Sequence, residues 1–213
     1  MRASVVVLCL VACKFSPPSG EPPPEGDAAT SDSIDSTIDA VPDAVITACG
    51  DCNDSDPCTV DSCVDTTCQH VALALPTGCT GSIVRCAGEA TCYARCTDAR
   101  TWSAAEQVCT GWTGHLATLT SQAESACIGN VLGAGGRAWI GYYQDDADPE
   151  PAGGWAWTSG TASSFTYWAA TQPNNPTDIL ATGQDCAFAE GTAGQWFDHE
   201  CVAGGTFTYV CER

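Results

Sequence analysis

Sixteen cysteines in 213 residues limit this chain more than any other feature. That density belongs to proteins oxidised outside the cytosol, where disulfides stand in for part of a core. Cys9 lies in an apolar leader and Cys13 directly after it, which leaves 16 − 2 = 14 cysteines from Cys49 onward. An even remainder is what a closed disulfide framework requires. Six fall in residues 49–79 and eight in residues 86–213, so each group is able to close internally.

The leader explains the compartment. Met1-Arg2 gives a positive start, and residues 3–12 form an apolar run too short to cross a bilayer as a helix, so residues 1–12 read as a signal peptide. Its end, Leu10-Val11-Ala12-Cys13, resembles the bacterial lipobox, which implies cleavage before Cys13 and lipidation of its thiol. The alternative is a plain secretory signal with a stray cysteine. Residues 13–48 hold Pro17-Pro18, Pro22-Pro23-Pro24 and scattered acids, with few apolar residues to bury. They are expected to form a disordered acidic tether. The expected location is the bacterial cell surface or outer membrane, with the membrane touched through the lipid anchor alone.

Twenty-six acids against seven bases give a formal charge of −19. Such a field repels phosphate backbones, so nucleic acid is excluded as a partner, whereas divalent cations are favoured. A solvated acidic surface that keeps an exported protein soluble accounts for the same charge.

Residues 49–79 are too few to build a core without covalent closure. Their centre, Asp54-Ser55-Asp56-Pro57-Cys58-Thr59-Val60-Asp61-Ser62-Cys63, followed by Cys68-Gln69-His70, resembles the short repeat of slime-mould matrix proteins. That implies a structural stalk, with Asp54, Asp56 and Asp61 as candidate calcium ligands. Cys49-Gly50-Asp51-Cys52 is formally a redox motif, and the six cysteines with His70 formally a zinc set. An exported chain without a βαβ pattern argues against both.

From residue 86 onward the patterning turns to that of an α+β domain. Trp102, Ala105, Cys109 and Trp112 share one helical face, and Ser103-x-x-Glu106 is a candidate cap. Ser121-Gln122-Ala123-Glu124 opens a second helix with Ile128 and Val131 inward, which Gly133 ends. Then follow Trp139-Ile140-Gly141, Trp155-Ala156-Trp157, Gln172-Pro173-Asn174, and Cys186, Trp196-Phe197-Asp198, Cys201 and Cys211. In order and spacing these motifs resemble a C-type lectin-like domain over residues 86–213. The tryptophans at 102, 139, 155, 157 and 196 are expected to be structural.

The resemblance implies the bonds Cys109–Cys211 and Cys186–Cys201, and Cys86–Cys92 as an N-terminal bridge for which Cys79 competes. Cys96 and Cys127 have no counterpart and are candidates to pair with each other. It also implies a glycan site in which one calcium, held near a cis proline, receives two vicinal sugar hydroxyls. Carried onto this chain, its ligands are Gln172, Asn174, Gln184 and Asp198. Phe197 stands where an asparagine is usual and Gln184 where a glutamate is usual, leaving Asp198 the lone carboxylate. On this reading Phe197→Asn restores a missing oxygen. Asp145, Asp146, Asp148 and Glu150, with Asp185, form an auxiliary calcium candidate or a solvated acidic hairpin. Asp178 is a further acid that the main site is able to recruit. Asp198-His199-Glu200 lacks the histidine spacing of a metalloprotease helix, and no nucleophile motif accompanies it, so no enzymatic activity is expected. The expected partners are glycans or surface glycoconjugates. The alternative is a metal-free domain that binds protein or acts as structure.

Overall fold

The computed structural model of the protein describes residues 49–145, 148–175, 183–202 and 206–213. The leader, Cys13, the tether, Asp146 and Asp178 lie outside the described residues. The first elements are β1 (Thr59–Val64) and β2 (Thr67–Ala72), an antiparallel hairpin in register from Thr59↔Ala72 to Val64↔Thr67. Its side chains are mostly exposed, so packing alone does not hold it. Cys49–Cys63 and Cys52–Cys68 do. The two cysteines of the Cys-x-x-Cys motif therefore bond to different partners, and no cysteine of this segment is left as a zinc thiolate.

The α+β domain follows. Its elements are β3 (Gly81–Arg85), β4 (Cys92–Arg100), α1 (Trp102–Gly111), β5 (His115–Leu116), α2 (Gln122–Leu132), β6 (Arg137–Tyr143), β7 (Ala156–Trp157), β8 (Cys186–Glu190), β9 (Gln195–His199) and β10 (Phe207–Glu212). The main sheet runs β3-β4-β10-β6-β8-β9, with β5 added to β10 and β7 to β6. The last strand thus lies inside the sheet, antiparallel to β4 and parallel to β6.

Strand alternation sends side chains to two cores. Tyr93, Ile140, Ala187, Ala189, Trp196 and Val210 pack with Ile128 and Leu132 of α2. Cys92, Ala94, Cys96, Trp139, Phe188 and Tyr209 pack with Ala105 and Cys109 of α1. Trp139, Trp157 and Trp196 are buried as expected, while Trp102 and Trp155 are only half-buried.

The helix starts differ from expectation in one case. Thr101 precedes α1 without a side-chain cap, and Ser103 lies within the helix. Glu106 is drawn away by the His115 ring and the Leu116 N–H, at 2.7 and 2.8 Å. At α2 the cap holds, with Ser121 Oγ accepting the Glu124 N–H at 3.1 Å. The Glu124 carboxylate does not return to Ser121. It accepts from Thr120 N–H at 2.7 Å and from the Tyr93 hydroxyl at 2.9 Å.

All fourteen cysteines from Cys49 onward are paired. Cys109–Cys211 and Cys186–Cys201 form as the resemblance implies. The Cys86–Cys92 bridge is corrected: Cys86 bonds Cys127, and Cys92 bonds Cys58. Cys86 belongs to the core under α2, and Cys92 to the core under α1. The sheet separates them. Cys96 shares the face of Cys92 and bonds Cys79, so a Cys96–Cys127 pair is excluded for the same reason.

Internal closure of the two cysteine groups fails as well, because Cys58–Cys92 and Cys79–Cys96 both cross between them. Leu73 and Leu75 pack on the core under α1, and the Trp112 indole N–H donates to the Ala74 carbonyl at 2.9 Å. The cysteine-rich hairpin is therefore clamped to the domain that follows it.

Two predictions arise from this framework. Cys109–Cys211 closes a separation of 102 residues. Chain entropy assigns such a loop about 4.7 kcal/mol, less any native strain, so Cys109→Ala/Cys211→Ala is expected to lose up to about that much in urea denaturation. A loss below about 1 kcal/mol contradicts this account of the bond.

Glu212 supplies the second. Burial, with the Glu124 charge adding to it, pushes its carboxyl from 4.5 to about 7, although the Thr118 N–H at 2.7 Å opposes the shift. Between these values the folded state keeps a proton that the unfolded state has lost, so this group makes stability fall as pH rises from 4.5 to about 7. Glu212→Gln keeps an acceptor for Thr118 and removes the charge. Its stability is expected to exceed that of the wild type above pH 7, by an amount on the order of 1 kcal/mol and with a higher Tm, and to match it below pH 4.5. A Tm difference that does not change with pH refutes the assignment.

Candidate functional site

Strand β9 carries the one carboxylate of the expected ligand set. Its burial alternates, with Trp196 and Asp198 buried and Gln195, Phe197 and His199 half-exposed. Trp196 joins the core under α2, and Asp198 pairs across the ladder with Ala187 of that same core. Phe197 and His199 point the other way. Phe197 stacks on Phe188 at 5.4 Å and 9°, and His199 meets Trp139 and Phe207 edge-on.

The Phe197 ring lies on the opposite face of the strand from Asp198 and offers the site no oxygen.

Asp198 is 4% exposed. Its Oδ2 accepts the backbone N–H groups of Asn174 and Asn175, at 2.9 and 2.7 Å. Those bonds pull the segment after the cis Gln172–Pro173 bond onto β9. Asn175 Oδ1 in turn accepts the Gln184 N–H at 2.9 Å. Asp198, Asn174 and Gln184 are thus brought together, with Asn175 as the bridge. The Gln172 N–H turns back to the Ala169 carbonyl at 3.0 Å.

Sequence reasoning missed Asn175. It is buried and sits at φ +32°, near the left-handed region that asparagine tolerates better than most residues. The doubled Asn174-Asn175 after the proline was the available signal.

Two oxygens bear on a cation. Asp198 Oδ1 and Gln172 Oε1 are both buried without a hydrogen-bond partner. Buried polar atoms are almost always satisfied, so each calls for an explanation, and an ion is one. A hard, oxygen-seeking cation suits the donor set of one carboxylate oxygen and side-chain amide oxygens. The charge offered is small, because Asp198 Oδ2 is already engaged by two N–H groups. The residues fit calcium as a low-affinity site.

The auxiliary set is less coherent. Asp145 and Glu150 are exposed, Asp148 is half-buried and Asp185 is buried, while Asp146 lies outside the described residues. The Asp145 and Asp185 carbonyls accept the N–H groups of Asp148 and Gln144, at 2.8 and 2.9 Å. The Asp148 carboxylate lies over Gly154, where no Cβ fits. Among the described residues, no three acids of this set bring ligand atoms within 4.8 Å of one another.

In the hairpin, Asp54, Asp61 and His70 do converge within 4.8 Å. The His70 Nδ1 lies 2.8 Å from Asp61 and 3.3 Å from Asp54, and these carboxylates raise the imidazole above its usual range. Asp56, the third calcium candidate there, instead pairs with Arg85 at 2.7 Å and accepts the Cys58 N–H.

The chain is 36% identical over 120 residues to lectin BRA-3 of Megabalanus rosa, covering 54% of this chain and 68% of that protein. It is 35% identical over 134 residues to a type-2 ice-structuring protein of Brachyopsis segaliensis, covering 62% of this chain and 69% of that one. With mouse C-type lectin domain family 4 member F it shares 32% identity over 120 residues, 54% of this chain, and spans only 20% of that protein. In three dimensions it superposes on the carbohydrate-recognition domain of the human scavenger receptor C-type lectin with a TM-score of 0.50 and 27% identity. That overlap covers 58% of this chain and 90% of that one. Residues 98–213 match the lectin C-type domain, from the end of β4 to the last residue of the chain, and the protein belongs to that family.

Proposed function

We propose that this protein is an exported, lipid-anchored carbohydrate-binding protein that recognises neutral glycans with the help of calcium. The observation that carries the reading is the unpartnered Oδ1 of buried Asp198, set in a segment that the same side chain organises. Relatives named as lectins support glycan binding. Asp198 and Gln172 would hold the ion, with Asn174 and Gln184 beside them. When bound, calcium offers coordination positions to a pair of sugar hydroxyls. The protein's own part is to fix Asn174 and Asn175 against β9 before any ligand arrives, which lowers the ordering cost of binding. No catalytic role is assigned to His199 or Glu200, and Asp145, Asp148, Glu150 and Asp185 are at most an accessory cation surface.

A second reading is a metal-free binding domain. It is favoured by Phe197, whose ring is committed to the opposite face, and by Asp198 Oδ2, which locks the segment without an ion. A relative named as an ice-structuring protein supports the view that family membership does not fix the ligand.

Asp198→Asn keeps an acceptor for the backbone N–H groups but removes the charge. It is expected to weaken calcium binding at least about tenfold in calorimetry and to abolish chelator-sensitive binding on a glycan array. If the wild type binds neither calcium nor any glycan in a chelator-sensitive way, the metal-free reading replaces this one.

Anchorage at Cys13 rests on Leu10-Val11-Ala12-Cys13 and the acidic tether after it. Cys13→Ser is expected to move the protein from the membrane to the soluble fraction. A wild type already soluble in full rules the anchor out.

A further inference from the structure

A second candidate site lies at β7, where Trp155, Ala156 and Trp157 line a groove. Tyr142 and Trp157 are buried against each other, 4.4 Å apart at 34°, and Tyr142 also packs on half-buried Trp155 at 5.4 Å and 32°. These rings, with Thr161, Ser163 and Ser164 at the rim, line an open groove of about 510 Å³, in which Trp155 is the ring left partly open. That volume is within the range of small-molecule sites, which are typically aromatic with a few placed polar groups.

The local sequence builds the groove. After β7 the chain turns at Gly160, whose φ of +73° a side chain would strain, and its N–H donates to the Trp157 carbonyl at 2.9 Å. The turn carries Thr161, Ser163 and Ser164 back over the rings. Trp155 is held in place at its edge. Its indole N–H donates to the Pro151 carbonyl at 2.9 Å, and Trp168 packs on it at 4.7 Å and 71°. It is only half-buried all the same, whereas Trp157 and Trp196 of the same aromatic group are buried. A fixed, partly open indole loses little entropy when a ligand covers it.

The lining decides the ligand class. In a chain of net charge −19, no charged residue lines this groove among the described residues, which leaves no ionic anchor for a charged ligand. The aromatic faces carry negative π density and attract the weakly positive C–H bonds on one face of a sugar ring. The rim supplies hydroxyls suited to the ring's equatorial oxygens. Thr161 Oγ1 accepts from Ser159 at 3.0 Å and Ser163 Oγ accepts from the Phe165 N–H at 3.1 Å, so each keeps its own proton to donate.

We propose that this groove binds an uncharged pyranose ring by stacking, without a metal. The site adds a glycan contact to the carbohydrate-binding reading, and it stands independently of the calcium ligands, none of which lines it.

The test uses the full chain with methyl β-galactopyranoside and methyl α-mannopyranoside as probes, in chelator, observed through the Trp indole N–H resonances. The expected result is saturable binding of at least one glycoside in the millimolar range, with the Trp155 resonance moving most. Trp155→Ala is expected to weaken it at least about tenfold. Since Trp155 also packs on Tyr142 and Trp168, a second variant is needed. Ala162→Trp fills the groove from an exposed position and should abolish the shift while leaving the fold intact.

Asp198→Asn should leave this binding unchanged. If neither glycoside gives saturable shifts in chelator, or if Ala162→Trp leaves them unaltered, the groove is not a sugar site. Binding seen only with calcium and lost in Asp198→Asn overturns the groove while sustaining the calcium reading. Binding in chelator that Ala162→Trp removes, with no calcium-dependent binding at all, sustains the groove and overturns the calcium reading.

Discussion

Strand β10 is the piece on which the other elements converge. It lies antiparallel to β4 and parallel to β6, accepts β5 alongside, and is bonded through Cys211 to α1. Its partners lie 70 (Thr208↔Ala138) to 119 (Glu212↔Tyr93) residues earlier in the chain, so every pairing closes a long loop and none is favoured locally. The disulfide offsets part of that entropy by restricting the unfolded chain. The alternation of β10 then sets both cores, since Tyr209 and Cys211 face α1 while Val210 faces α2. Cys58–Cys92 and Cys79–Cys96 extend this economy to a hairpin with almost no core of its own.

Asp198 holds two demands in balance. One of its oxygens orders the Asn174-Asn175 segment through backbone N–H groups, and the other is left buried and unpartnered. The first engagement is structural and independent of any ligand. It also engages half of the one carboxylate in the expected ligand set. A preformed loop and a weakly charged ligand set are therefore two outcomes of the same pair of hydrogen bonds.

The aromatic residues link this loop to the groove beside it. Trp168 meets Trp155, Tyr142 and Trp196, and the Ala169 N–H that follows it donates to the Trp196 carbonyl at 2.9 Å. Three residues later comes Gln172. The rings that secure the core under α2 thus also position both candidate binding surfaces. Trp155 and Trp168 are both half-buried, and Trp155 is the one that lines the groove, where packing and recognition meet.

Much of this was legible in the residues themselves. Cysteine parity, the tryptophan motifs and the Ser121 cap are local or compositional signals that pointed to an oxidised α+β domain with two helices, and the family resemblance those motifs carry implied the bonds Cys109–Cys211 and Cys186–Cys201. What the sequence could not decide was which face of the sheet each side chain occupies, because a face is set by strand register, and register is a property of partners distant along the chain. That separation placed Cys86 and Cys92 in different cores, turned Phe197 away from Asp198, and bonded the cysteine-rich hairpin to its neighbour. It also brought half-buried Glu212 near Glu124, and gave Asn175 its place between Asp198 and Gln184. Residue types and their order determined which chemistry is present; the pairing of distant strands determined which groups meet.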